Sequence, residues 1–118
     1  PVGDEHDAIY ITRIADLANP SGSIKVYFQG YRPPGSSIKL LYRVRPVGGQ
    51  TPIDELGYKY FPDPDDLPPE SDLEVFSDYE YEITGLNFDQ YQVKVLFVSP
   101  DQALTPIIKD IRCIALAV

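Results

Sequence analysis

The stretch that decides the fold is "SIKVYFQGYRPPGSSIKLLYRVR", residues 23–45, in which two alternating runs flank a Pro-Pro-Gly turn. In the first run, Ile24, Val26 and Phe28 alternate with Lys25, Tyr27 and Gln29. The second run repeats the period of two, with inward positions at Ile38, Leu40, Tyr42 and Val44 and with Lys39, Leu41, Arg43 and Arg45 between them. This spacing predicts two strands that each bury one face.

The turn between the two runs, residues 32–35, has a conformation that its residue types favour. Pro34 suits position i+1 of a type II β-turn, and Gly35 at i+2 can adopt the positive φ that this turn requires. Pro33 keeps Arg32 extended. We expect the turn to reverse the chain, to fix the register between the two strands, and to leave Tyr31 and Arg32 exposed to a partner.

Further strands are predicted along the rest of the chain, at residues 8–17, 73–76, 79–84, 90–98 and 107–117. For the last segment a helix is the competing prediction, because alanine and leucine are good helix formers, but the alternation favours a strand. About seven to eight short strands without a βαβ rhythm indicate a single all-β domain over residues 1–118, an antiparallel β-sandwich resembling a jelly roll.

One long connection, residues 46–72, interrupts the strands with six prolines and three glycines. A short helical turn is predicted at 52–56, where Thr51 would cap and Pro52 would occupy the first helical position. We expect Tyr58, Tyr60 and Phe61 to pin the connection to the sheet.

Composition excludes several classes of function. The net charge is −8, and residues 54–82 alone contribute −10 from eleven acidic residues and one lysine. Nucleic acid is therefore not expected as a partner, because phosphate binding needs basic patches. No apolar run approaches the ~20 residues of a membrane-spanning helix, so no membrane partner is expected. The acidic segment is either a solvated face or a surface that meets a basic neighbour.

Catalytic and cofactor chemistry has little support in the sequence. The chain has one cysteine and one histidine, so it forms no internal disulfide, and no nucleophile motif or phosphate loop occurs. Cys113 is expected to act as a small core residue, and His6 to lie on the surface. We expect no enzyme activity, no catalytic residue and no cofactor; a hydrolase that uses the acidic cluster is a minor alternative.

Two groups of carboxylates need separate interpretation. "DPDD" at 63–66, with Glu70 and Asp72, could supply oxygen ligands for calcium, but its prolines favour a solvated turn, and no metal site is predicted. Glu80 and Glu82 share one strand face and could imitate a glycosidase pair. Cross-strand pairing with Lys39 and Arg43 is the more economical prediction.

Three stretches together resemble a known module. "LANPSGSIKVYFQGYRPPGSSIKLLYRV" (17–44), "YQVKVLFVSPDQALTPIIKDIRCIALA" (91–117) and "ITRIADL" (11–17) are similar to a module in virion structural proteins of tailed phages, especially the T4-like myoviruses of marine cyanobacteria. The shared features are a Tyr-(Arg/Lys)-Pro-Pro-Gly turn and a final strand with the pattern Pro-x-(Ile/Phe)-Lys-Asp-(Ile/Leu)-Arg. Residues 46–78 are poorly covered by the resemblance.

The resemblance implies a non-enzymatic structural domain of a tail, baseplate or neck, made in the host cytoplasm and incorporated into the virion. Its partners would be other virion subunits, including further copies of the chain as a homo-oligomer. The final strand also looks like that of jelly-roll domains that bind glycans, so a carbohydrate-binding module for a host-surface glycan is the alternative. On either interpretation, the candidate contact residues are Tyr27, Tyr31, Arg32, Tyr58 and Tyr60.

Overall fold

The computed structural model of the chain describes residues 6–70, 75–99 and 106–117. Strands dominate this part of the chain, joined by turns and one short 3₁₀ helix, η1 (Ile53–Glu55). The strands are β1 (His6–Ile11), β2 (Ala15–Ser21), β3 (Ser23–Tyr31), β4 (Ser37–Pro46), β5 (Lys59–Tyr60), β6 (Ser77–Ile83), β7 (Phe88–Ser99) and β8 (Ile107–Leu116).

The strands form two antiparallel sheets. Sheet A has the order β1-β7-β4-β5, and β2 pairs with β7 on the same edge as β1. Sheet B has the order β6-β3-β8. The twelve residues of β7 form the central strand of sheet A, because β4 covers one of its edges and β1 with β2 covers the other.

The core lies between the two sheets and confirms the all-β sandwich. Sheet B contributes alternate residues of β3 and β6, and sheet A contributes alternate residues of β4 and β7. The most deeply buried large side chains are Ile24, Val26, Leu40, Tyr79, Phe88, Val93 and Val95. The alternation in residues 23–45 therefore predicted the inward face of both strands, because β-strand side chains point to opposite faces in turn.

The Pro-Pro-Gly turn has the predicted local geometry but a different role from the one expected. The Ser36 amide donates to the Pro33 carbonyl at 3.0 Å, and Gly35 has φ of 82°. However, β3 belongs to sheet B and β4 to sheet A. The turn thus fixes no register between paired strands, and that prediction was wrong. It carries the chain from one sheet to the other, which is why both runs face the same core.

The first and last predicted strands, residues 8–17 and 107–117, can be compared with the strands of the structure. The predicted strand 8–17 is divided into β1 and β2, because Thr12–Ile14 leave the regular ladder. Residues 107–116 form a strand, as predicted, and not a helix. Within β8, Asp110 has φ of 57°, and the pairing with β3 shifts register there, so one extra residue forms a β-bulge.

The proline-rich connection lies along sheet A up to Phe61, and residues 62–66 then line a groove beside β6 of sheet B. Its helical turn is confirmed at η1, but Pro52 takes the N-cap position and no side chain caps the turn, so the predicted role of Thr51 was wrong. Ile53 and Phe61 are buried, and the Phe61 amide donates to the Leu40 carbonyl at 2.9 Å. Of the predicted strand 73–76, residues 75 and 76 are not in a strand, and 73–74 lie outside the described residues.

Candidate functional site

Two of the predicted contact residues, Tyr31 and Arg32, make contacts within the chain. Tyr31 is only 8% exposed and packs edge-on against Phe76, with ring centroids 5.5 Å apart. Arg32 is half-buried; its Nε donates to the Tyr79 hydroxyl at 3.1 Å, and its Nη2 donates to the Pro68 carbonyl. The prediction that Tyr31 is exposed was wrong, because Phe76 packs against its ring, and Pro68 and Glu70 contact the neighbouring turn.

Tyr58 belongs to a hydrogen-bonded cluster on the outer face of sheet A. The cluster centres on the buried Gln92, whose Oε1 accepts from the Tyr58 hydroxyl at 3.2 Å and from Arg43 at 2.6 and 2.9 Å. Gln92 Nε2 donates to the Thr12 carbonyl at 2.8 Å. Arg43 Cζ and Lys94 Nζ also lie over the Tyr58 ring, 4.6 and 4.8 Å from its centroid. Tyr58 is therefore a packing residue whose hydroxyl and ring are both used within the chain.

Tyr60 is the most exposed of the predicted contact residues, with 64% of its surface accessible. It pairs with Leu41 across β5 and β4, so it points to the outer face of sheet A. The same row of that face continues through Lys94 of β7 to Ile11 of β1, and the next row holds Lys39, Leu96 and Ile9. The outer face of sheet A thus mixes apolar side chains with two lysines between β5 and β1.

The highest local density of exposed apolar residues lies at the β1 edge. Ile9, Tyr10, Ile11 and Ile14 are 58%, 45%, 51% and 41% exposed, all within six consecutive residues. Among the described residues, no strand pairs with the outer edge of β1. Strand edges with these properties are templates for pairing with another chain. We call the segment Ile9–Ile14 the β1 edge.

The other edges of the sandwich carry protective features that residues 8–11 of β1 lack. β6 alternates Asp78, Glu80 and Glu82 along its outer face, and β5 is only two residues long. β8 contains the bulge at Asp110 and two basic residues. Charges, bulges and short length are the usual means of preventing edge-to-edge pairing, whereas residues 8–11 of β1 have no charge and no proline.

The polar backbone of the β1 edge is oriented for pairing. The Thr12 amide donates to the Val93 carbonyl at 2.9 Å. Because hydrogen-bonded and non-hydrogen-bonded pairs alternate in an antiparallel ladder, Tyr10, opposite Val95, also points its backbone groups toward β7. Ile9 and Ile11 therefore direct their N–H and C=O groups outward, where a further strand could bind.

A second surface lies on the outer face of sheet B and includes Tyr27. A cleft of about 580 Å³ opens beside the β8 bulge and is lined by Tyr27, Gln29, Asp78, Glu80, Asp110 and Arg112, with backbone of Phe28 and Tyr79 below. The Arg112 guanidinium lies 5.9 Å from the Tyr27 ring centroid, and the Gln29 amide donates to Asp78 at 3.4 Å. The cleft thus combines one aromatic ring with both charge types.

The acidic segment forms a third surface along the β6 side. Asp63, Asp65 and Asp66 line a shallow groove with Glu80 and Glu82. Nζ of Lys25, on β3, lies 3.9 Å from Oε1 of Glu80 and 3.8 Å from Oε2 of Glu82. The predicted pairing of these glutamates with Lys39 and Arg43 was wrong, because β6 is paired with β3 and not with β4.

In the described part of the chain, no group of three or more His, Cys, Asp or Glu side chains is arranged to hold a metal ion. Asp72 of the predicted acidic cluster and the side chain of His6 lie outside the described set. Cys113 is half-buried against the core, and burial raises the pKa of its thiol to about 11, which keeps it protonated at neutral pH.

The β1 edge and Gln92 are the two features that sequence reasoning missed. "AIYI" at 8–11 was assigned to a strand, but its position at an edge depends on which strand pairs with β7, and pairing partners are not encoded locally. The sequence does contain a signal. Ile9, Tyr10 and Ile11 make both faces of the strand apolar, and residues 8–11 contain no lysine or proline. Gln92 could be noticed only as a polar residue within the apolar run 91–98.

Comparisons of the chain with protein-family models, with curated proteins and with solved structures find no match. In the described part of the chain, no helix has the length and apolar character needed to cross a membrane.

Proposed function

We propose that this chain is a non-enzymatic assembly domain that acts through protein–protein contacts in the tail, baseplate or neck of a tailed-phage virion. The observation that carries the assembly role is the β1 edge: among the described residues no strand pairs with the outer side of β1, and its Ile9, Tyr10 and Ile11 are exposed together with the following Ile14. The virion assignment comes from the resemblance of residues 17–44 and 91–117 to the phage structural module.

The physical argument for assembly is the cost of leaving this edge in water. Outward N–H and C=O groups and adjacent isoleucines together favour an added strand, because main-chain hydrogen bonds provide affinity and apolar side chains provide burial. The cluster around Gln92 fixes Thr12 at the end of β1, so the edge is held in an extended conformation before a partner binds. A preformed surface lowers the entropy cost of association.

The test is to locate the chain in purified particles of the phage that encodes it. Mass spectrometry of purified virions is expected to detect its peptides at a constant ratio to the major tail proteins. A phage carrying Tyr10→Lys is expected to incorporate at least tenfold less of the chain than one carrying Ile114→Lys, a change at an exposed apolar position of β8. Particles that contain no peptide of the chain would refute the virion role.

A second candidate function, carbohydrate binding, is favoured by the cleft beside Tyr27. Sugars bind where an aromatic ring lies next to hydrogen-bonding side chains, and Gln29, Asp78, Glu80 and Arg112 surround Tyr27. A glycan array with the purified chain tests it. Binding that is lost in Tyr27→Ala and kept in Tyr60→Ala would support this function, whereas an array without any bound glycan would reject it.

A further inference from the structure

The backbone geometry and sequence of β1 indicate which partner binds the β1 edge. We propose that the β1 edge binds the β1 edge of a second copy of this chain, antiparallel and about a twofold axis at Tyr10, so that the two copies of sheet A become one continuous sheet. This inference rests on the proposed assembly function, which requires a partner at this edge, and it adds the identity of that partner and the register of the contact.

The register follows from the backbone geometry of β1. Ile9 and Ile11 direct their N–H and C=O groups outward, as the Thr12–Val93 hydrogen bond and the pairing with β7 establish. An antiparallel copy can form hydrogen-bonded pairs only between such outward residues. Pairing Ile9 with Ile11 of the second copy satisfies this condition twice, once on each side of the axis, and places the two Tyr10 residues opposite each other.

Two other registers also pair outward-directed residues with each other, but they place less compatible side chains opposite each other. An axis at Ile11 would set Ile9 opposite Arg13, and an axis at Ile9 would set Ile11 opposite Asp7. An axis at Tyr10 sets isoleucine opposite isoleucine on the outer face of sheet A and tyrosine opposite tyrosine on the inner side. Apolar and aromatic cross-strand pairs stabilise sheets, whereas an apolar residue opposite a charge leaves that charge partly desolvated.

Electrostatics favours a second copy at this edge over contact through the acidic groove. The chain carries a net charge of −8, so two copies repel each other wherever their acidic surfaces meet. The acidic groove lies beside β5 and β6, and β5 is at the opposite end of sheet A from β1. In the joined sheet, seven strand spacings would separate the two β5 strands by about 34 Å, several times the Debye length at physiological salt.

The contact also explains the exposure of Tyr10. Tyr10 is opposite Val95, whose side chain is fully buried, so it projects from the inner face of sheet A at the open side of the core. Two such tyrosines, directly opposed in a non-hydrogen-bonded pair, would cover the open sides of both cores. Isologous twofold contacts of this kind are the commonest arrangement in homo-oligomers.

Disulfide trapping in the purified chain tests both the partner and the register. In a Cys113→Ala background, Tyr10→Cys is expected to form a covalent dimer on mild oxidation, because opposed residues in a non-hydrogen-bonded pair have Cα atoms about 4.5 Å apart, within disulfide range. Ile9→Cys is the matched control on the same strand. Its two copies would be about 9 Å apart across the diagonal, beyond that range, so little covalent dimer is expected.

Sedimentation equilibrium over a hundredfold range of concentration provides the second measurement. The unmodified chain is expected to dimerise, and Tyr10→Lys is expected to weaken the dimer at least tenfold while Ile114→Lys, on β8, leaves it unchanged. Circular dichroism verifies that each variant keeps its strand content. A monomer at every concentration, a dimer insensitive to Tyr10→Lys, or crosslinking of Ile9→Cys as efficient as that of Tyr10→Cys would overturn the inference.

These outcomes separate the inference from the proposed function. A chain that is monomeric but present in virions overturns the β1–β1 contact and leaves the assembly role intact, with another virion protein at this edge. A chain that dimerises through Tyr10 but is absent from virions leaves the contact intact and overturns the virion role.

Discussion

The β1 edge and β6 are both outer strands of the sandwich, and they present opposite surfaces to water. Along β6, Asp78, Glu80 and Glu82 alternate with the buried Tyr79 and Tyr81, so one face is charged and the other is core. Along β1, Ile9 and Ile11 replace the charges and remain more than half exposed.

The difference between these strands shows that alternation alone does not determine what an edge does. In β6 the polar positions keep the outer face solvated and repel another acidic strand. In residues 8–11 of β1 both faces are apolar, so exposure is unfavourable until a partner covers them. The following predictions test how each edge is held in place, beginning with the largest expected effect.

The β6 strand is held from inside by stacked aromatic rings, and truncating Phe28 should break that support. The Phe28 ring stacks on Tyr79 at 4.9 Å and on Tyr81 at 6.0 Å between centroids. We expect Phe28→Ala to lower the free energy of unfolding by about 3–5 kcal/mol, as loss of a buried aromatic ring leaves a cavity. Urea unfolding monitored by circular dichroism measures it.

The control for Phe28→Ala is its neighbour on the opposite face of β3. Tyr27 is half-buried and points to the outer cleft. Tyr27→Ala should cost about 1 kcal/mol or less, since no cavity forms at the surface. Equal losses for the two variants would contradict the assignment of Phe28 to the core.

The β1 edge is held by hydrogen bonds rather than by rings, and Gln92 is the residue to change. Gln92→Leu removes the bond to the Thr12 carbonyl and the acceptor shared by Arg43 and Tyr58. We expect a loss of about 1–3 kcal/mol, because the buried partners of Gln92 lose their hydrogen bonds. Hydrogen exchange should show faster exchange of the Thr12 amide.

A matched change nearby separates this cluster from a general effect on β7. Gln90 lies two residues earlier on the same face and bonds the exposed Asp16. Gln90→Leu is expected to change stability by less than about 0.5 kcal/mol, because water can replace that bond. If Gln90→Leu destabilises the chain as much as Gln92→Leu, the cluster has no special role in holding β1.

The buried face of β6 also makes stability depend on alkaline pH. Burial, and then the nearby Asp63 carboxylate, raise the pKa of Tyr81 from 10 to about 12. Between these values the folded chain binds more protons than the unfolded chain, so the stabilisation is complete below pH 10 and is lost as pH rises toward 12. Tyr81→Phe should lose less stability than the unmodified chain over that window.

Urea midpoints at pH 9.5 and pH 11.5 measure this difference. Tyr60→Phe is the control, because it removes the hydroxyl of an exposed tyrosine. If Tyr81→Phe and the unmodified chain lose the same stability between the two pH values, the Tyr81 hydroxyl does not ionise against a burial penalty.

Much of the sandwich could be predicted because its information is local. Period-two patterning placed Ile24 and Leu40 in the core, and the residue types of the Pro-Pro-Gly turn predicted the positive φ of Gly35, since both depend on adjacent residues. Sheet membership could not be predicted, because the same turn can join paired strands or cross between sheets. The edge position of Ile9, the burial of Tyr31 and the partner of Glu80 all follow from that non-local choice.

The smallest expected effect concerns the ion pairs that join β3 to β6. Lys25 contacts Glu80 and Glu82 near the surface, where solvent and salt screen charges, so Lys25→Gln should cost less than about 1 kcal/mol. The cost should vanish in 1 M sodium chloride, where the Debye length is about 3 Å. Lys39→Gln is the matched control, because Lys39 lies on the other sheet. If Lys25→Gln and Lys39→Gln lower the free energy of unfolding by the same salt-dependent amount, the loss reflects the overall charge of the chain. If only Lys25→Gln shows this loss, the pairing of β6 with β3 determines which lysine neutralises the acidic edge.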